Sequence, residues 1–221
     1  MIRSASTGGS REELTLELAA TAARLIAEDG CDYATAKRKA AQLVLGEAAG
    51  ARSRLPENDL VESELRRYLR TFGGEHHAAL LTELRTVALA LMEYLAPFNP
   101  HLVGAILNGT ATEHSALHLH LFTDSAKDVE IFLLNDGVRF TVEEASDPAG
   151  ALESVHLHVP RRLLTAGTSS LDAVLAVLPT DAVRVSSRFR SSDPSLSPIE
   201  QAGRAGIPAL RALLSTTGNH G

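Results

Sequence analysis

Twice in this chain histidine alternates with aliphatic residues: Ala116-Leu117-His118-Leu119-His120-Leu121-Phe122, and again Ser154-Val155-His156-Leu157-His158-Val159. A period of two is strand geometry, because successive side chains leave a strand on opposite faces. It sets Leu117, Leu119 and Leu121 against His118 and His120, and Val155, Leu157 and Val159 against His156 and His158. Such strands need an apolar layer on one face, so this feature commits part of the chain to a sheet covered by helices on one side.

The first hundred residues follow a different period. The spacing predicts a helix capped by Ser10 with Glu13 completing a capping box, carrying Leu14, Leu18, Ala22 and Leu25 inward and stopping at Gly30. A second helix runs from Tyr33 to Gly46 with Ala36, Ala40 and Leu43 inward. Residues 50–58 read as a loop, Asn58 or Asp59 starts a third helix, and a fourth spans about residues 75–95 with Leu80, Leu84, Val87, Leu91 and Leu95 at core spacing. Apolar residues are mostly Ala and Leu, with no Trp, which suits helices packed closely through small side chains. Beyond Pro100, residues 102–107, 116–122, 138–144, 154–160 and 182–190 read as strands. Ser125 caps a helix with Asp128 at its third position, Leu171–Leu178 reads as a short helix, residues 191–198 as a linker, and 199–215 as a last helix that Pro208 interrupts. The expectation is an α+β chain: a helical region over 1–97 with 1–9 disordered, a small mixed sheet with flanking helices over 98–190, and a linker with a C-terminal helix over 191–221.

Several function classes are disfavoured by composition. A net charge of −6 opposes sequence-independent attraction to nucleic acid phosphates. The single cysteine, Cys31, rules out an internal disulfide and an all-cysteine zinc site. No stretch approaches the roughly 20 apolar residues of a membrane helix, and Arg11, Glu12 and Glu13 interrupt any signal-peptide pattern. A soluble, cytoplasmic protein is expected.

The stretch Gly104–Leu121, "GAILNGTATEHSALHLHL", carries glycines five apart at the end of a strand, where they leave backbone amides free to face a phosphate. It resembles the glycine-serine turn and following strand of the nucleotidyltransferase (polymerase-beta-like) superfamily. That resemblance covers about residues 85–160, and the helix 77–96 and the stretch 122–138 are also similar to uncharacterised bacterial nucleotidyltransferase-like proteins. The resemblance implies a nucleotide or phosphorylated small molecule as partner, with Gly104, Gly109, Thr110, Ser115 and Arg161 as ligand-binding residues. It also places Ala105 where the family has its serine, and Ala116 and His118 where it has two metal-binding aspartates. The third family carboxylate is expected on residues 153–160, where His156 and Glu153 are the candidates. Two-metal nucleotidyl transfer needs carboxylates around magnesium, a hard ion that imidazole serves poorly. The chain therefore resembles a degenerate, non-catalytic or weakly active member of the family. If the two histidine strands pair, His118, His120, His156 and His158 share one face, a donor set for zinc or another transition metal rather than magnesium. An active enzyme using Asp124 or Glu153 is the remaining alternative. The helical region is the candidate surface for a protein partner.

Overall fold

The structure is a computed structural model that describes residues 6–46, 55–144, 151–187 and 190–217. It is a mixed α+β chain that divides into two compact units between Ala78 and Ala79.

The first unit is helical: α1 (Ser6–Asp29), α2 (Tyr33–Leu45) and α3 (Asn58–Tyr68). Its core is largely alanine, with Ala19, Ala22, Ala23, Ala36 and Ala40 packed around Ile26, Val61 and Leu65. Small side chains at helix contacts allow close axial approach, so the composition and the packing agree. The helix α1 starts four residues before the expected cap at Ser10, because extending a nucleated helix is far easier than starting one. Of the segment expected to be disordered, residues 1–5 lie outside the described residues, as do 50–54 of the expected loop. Asp32 caps α2 by accepting the Thr35 amide at 2.9 Å, and Gly46 ends it at φ 56°. Leu43, expected inward, is 64 % exposed, since the buried stripe of α2 ends one turn earlier at Ala40 and Ala41. After α3 the chain widens into a π-turn over Leu69–Gly73 before α4 (Gly74–Tyr94). A Cβ on Gly73 would lie 2.6 Å from His77 Cβ, so only glycine fits there.

The second unit is built from most of α4 followed by β1 (His101–Val103), α5 (Ala105–Asn108), β2 (Leu117–Phe122), α6 (Ala126–Asn135), β3 (Phe140–Glu144), β4 (Glu153–His158), β5 (Asp172–Leu178), α7 (Pro198–Gln201), β6 (Ala205–Gly206) and α8 (Ile207–Thr217). The six strands form one sheet in the order β3-β4-β5-β2-β1-β6, with β2 and β5 parallel and the other pairs antiparallel. Leu84, Val87, Leu91 and Leu95 of the α4 segment, Val129 and Leu133 of α6, and Leu210 and Leu213 of α8 pack with Leu119, Val155, Leu175 and their neighbours in a single core. Ser125 caps α6 through the Asp128 amide at 3.2 Å, as its sequence indicates. No helix among the described residues is long and apolar enough to cross a membrane.

Four expectations are corrected. Leu171–Leu178 is the strand β5 rather than a helix; Ala173, Leu175 and Val177 enter the core while it bonds β2 and β4 on its two sides. The histidine strands β2 and β4 are therefore not neighbours. Residues 102–107 are strand only to Val103, and the rest forms the short helix α5. Thr180–Arg184 is a 3-10 turn in place of the expected strand, and Arg188 and Phe189 of that stretch lie outside the described residues. Pro208 sits in the first turn of α8, where its missing N–H costs nothing; the break in the expected helix falls instead around Gly203 and β6.

Candidate functional site

Helices cover one face of the sheet, and alternation places every histidine of β1, β2 and β4 on the other. The register sets His118 between Val103 of β1 and Val174 of β5, with His156 beyond Val174 on β4. His118 is exposed, while His156, Val174 and Ala176 are half-buried, so this part of the face is open. Near β1 the face closes. The Arg204 guanidinium stacks 5.1 Å from the Phe122 ring centroid and donates to the Val183 and Val185 carbonyls, at 2.6 and 3.0 Å.

The turn after β1 borders the open region. Gly104 has φ 73°, and a Cβ built on it would lie 3.8 Å from His118 Cβ. The angle favours glycine here, and a side chain at this position would reach van der Waals distance of the histidine. The N–H groups of Gly109, Thr110 and Ala111 all converge on the Ala105 carbonyl. Thr110 is 2 % exposed and its hydroxyl donates to Asn108 Oδ1 at 2.7 Å, so it holds the turn and has no hydroxyl proton left for a ligand. Ser115 Oγ accepts the Thr112 amide at 2.9 Å and closes the second half of the turn. Ala105 and Ile106, in the first turn of α5, carry amides with no acceptor inside that helix.

The side chain that braces this turn did not stand out in the sequence. Arg85 of α4, 6 % exposed, donates to the Ile106 carbonyl at 3.0 Å and the Leu107 carbonyl at 2.8 Å, and pairs with Glu200 at 2.7 Å. Glu200 also accepts the Ser197 amide and hydroxyl, completing a capping box on α7. Burial raises the Glu200 pKa, but the Ser197 and Arg85 bonds outweigh it and the net shift is downward. Two signals were present: an arginine within an apolar helical stretch, which must be paired when buried, and the S-x-x-E pattern of a capping box.

The four histidines expected to share a metal are held apart. His118 faces the open region; His120 is 8 % exposed, opposite His101 and with its ring centroid 6.3 Å from that of Phe122. His156 Nε2 lies 3.5 Å from Glu143, and His158 pairs with Asp172 across β5. Among the described residues no three His, Cys, Asp or Glu side chains come together to hold a metal ion.

The acids fare no better as a catalytic pair. The strand beside β2 is β5, which offers Val174 and Ala176 where a third carboxylate would be needed. Glu153 shares the face of Val155 and Leu157, opposite His156, and sits at the end of β4 remote from Gly104; among the described residues its buried Oε2 has no hydrogen-bond partner. Asp124 Oδ1 accepts the Thr180 amide at 2.9 Å, and this bond lowers its pKa. Arg161 is exposed in the 3-10 turn Arg161–Leu163 that follows β4, at the same end of the sheet as the Gly104 turn. Arg162 is engaged, paired with Asp136 and lying 5.3 Å over the Tyr94 ring.

No family model matches this chain, and neither does any curated protein or solved structure.

Desolvation lowers the pKa of His118 from its ordinary 6.5, and the neighbouring His156 adds to the effect. His101 is lowered too, by desolvation first and by the charge of Arg204. Both favour the neutral form in the folded chain. Between their folded pKa values and 6.5 the unfolded chain binds more protons, so stability rises with pH in that window. The urea midpoint is expected to fall as pH drops through about 6.5, and the fall should be shallower in a His118→Gln variant.

Proposed function

We propose that the second unit is a nucleotidyltransferase-like fold that no longer transfers nucleotides and instead binds a phosphorylated small molecule, a nucleotide by preference, on its open sheet face beside Gly104. The observation that carries this reading is the approach of the Gly104 turn to His118. A glycine favoured by its φ stands beside His118, which is exposed on the sheet face, and the first amides of the four-residue α5 have no acceptor within that helix. Imidazole N–H and amide donors suit phosphate oxygens. Arg161 lies at the same sheet end and supplies positive charge.

Loss of transfer follows from the ligands that are missing. The resemblance puts Ala116 and His118 at the aspartate positions, and Val174 and Ala176 line the neighbouring strand. Glu153 and Asp124 are too far from the turn to replace them, which counts against an active enzyme built on non-standard acids. The separated histidines likewise count against a shared transition-metal site. The helical unit supplies a surface for a protein partner, where Phe72 is 72 % exposed beside Tyr68.

Thermal denaturation with ATP, GTP, CTP and UTP tests the proposal. At least one nucleotide should raise the melting temperature without requiring magnesium, by an amount that grows with the logarithm of its concentration. His118→Ala should reduce that rise while leaving the unliganded melt close to wild type. No rise with any nucleotide at millimolar concentration would dismiss the binding site.

A further inference from the structure

Among the described residues β3 ends the sheet and is bonded to β4 alone. Thr141, Val142, Glu143 and Glu144 are all exposed, Val142 at 41 %. An unpaired edge is a template for another strand, and proteins commonly blunt it with charges that repel a second copy. Here Glu143 and Glu144 lie within the strand and a positive charge, Arg139, lies just before it. Glu143 is exposed and shares the open face with Thr141, and continuing the strand geometry by one residue puts Arg139, exposed just before Phe140, on that same face.

That pattern is complementary to itself when run antiparallel. With Thr141 opposite Thr141 of a second copy, Arg139 of each chain faces Glu143 of the other. On the opposite face, Phe140 of each chain faces Val142 of the other. Opposite-charge, threonine–threonine and aromatic–β-branched pairs across strands are each stabilising. Centring the pairing on Val142 or on Phe140 instead breaks both charge pairs. Four of the five large exposed apolar side chains described in this unit, Ile131, Leu134, Val142 and Leu152, come from β3 and the segments flanking it in sequence, and the fifth is Val185. We propose that β3 pairs antiparallel with β3 of a second copy, Thr141 against Thr141, forming a two-fold dimer with a continuous sheet. Each patch contacts its own copy, as a closed two-fold interface requires.

Light scattering after size exclusion tests the pairing and its register. Wild type should have twice the 23.5 kDa mass of one chain. Arg139→Glu and Glu143→Arg, both at exposed positions, should each give single-chain mass with an unchanged circular dichroism spectrum. In an equimolar mixture of the two variants, the carboxylate introduced in one chain meets the guanidinium introduced in the other. At the far end of the same pairing, the retained Glu143 of the first variant meets the retained Arg139 of the second, so the doubled mass should return. A wild-type protein of single-chain mass would overturn the dimer, and two single variants that stay dimeric would overturn its formation through the β3 charge pairs. Monomeric variants whose mixture stays monomeric would overturn the register.

Discussion

Replacing Arg85 with methionine is expected to destabilise the second unit by about 3–5 kcal/mol, the usual cost of breaking a buried ion pair from one side. The arginine is 6 % exposed and serves three acceptors: two carbonyls at the back of the Gly104 turn and the Glu200 carboxylate. Methionine fills much of the volume but leaves all three without this donor. At roughly 2–4 °C per kcal/mol for a unit of this size, the melting temperature should fall on the order of 10 °C. Arg85→Lys should recover only part of it, because one ammonium cannot reproduce the planar fork that spans both carbonyls and the carboxylate. Since Arg85 fixes the carbonyls behind the turn, any nucleotide-dependent stabilisation should weaken in the same variants. A calorimetric shift under about 2 °C for Arg85→Met would show that the clamp contributes little.

Leu119→Ala carries the other large effect. Leu119 is fully buried in β2, opposite Leu102 on β1 and Leu175 on β5, which are also fully buried. Truncation there forfeits transfer energy and leaves a cavity that paired strands on both sides cannot collapse to fill. A loss of about 3–5 kcal/mol is expected in urea unfolding, toward the upper end for leucine truncations. Val185→Ala, at a position 66 % exposed, is the control and should stay within about 0.5 kcal/mol of wild type. Equal effects from the two substitutions would contradict the burial that places β2 at the centre of the unit.

Glycines and alternation were the informative local signals. Gly30, Gly46 and Gly137 end helices at positive φ, and Ser125 caps α6, because these choices depend on a few adjacent residues. Misreadings arose where an apolar stretch fits both periods. Leu171-Asp172-Ala173-Val174-Leu175-Ala176-Val177-Leu178 places apolar residues at helical and strand spacing alike, since Val174 and Ala176 on the open face are themselves apolar. Only the hydrogen bonds offered by β2 and β4 decide for a strand. Arg85 escaped local reading for a related reason: its acceptors lie 21, 22 and 115 residues away, and no local pattern reports them.

By itself the sequence determined the α+β character and the two faces of β2 and β4, since period and capping act over a few residues. Only the tertiary structure decided that β5 separates the histidine strands, that Glu153 faces away from His156, and that Arg85 and Glu200 lock the turn. Those outcomes depend on which strands share hydrogen bonds and which buried charges meet, and distant parts of the chain decide both.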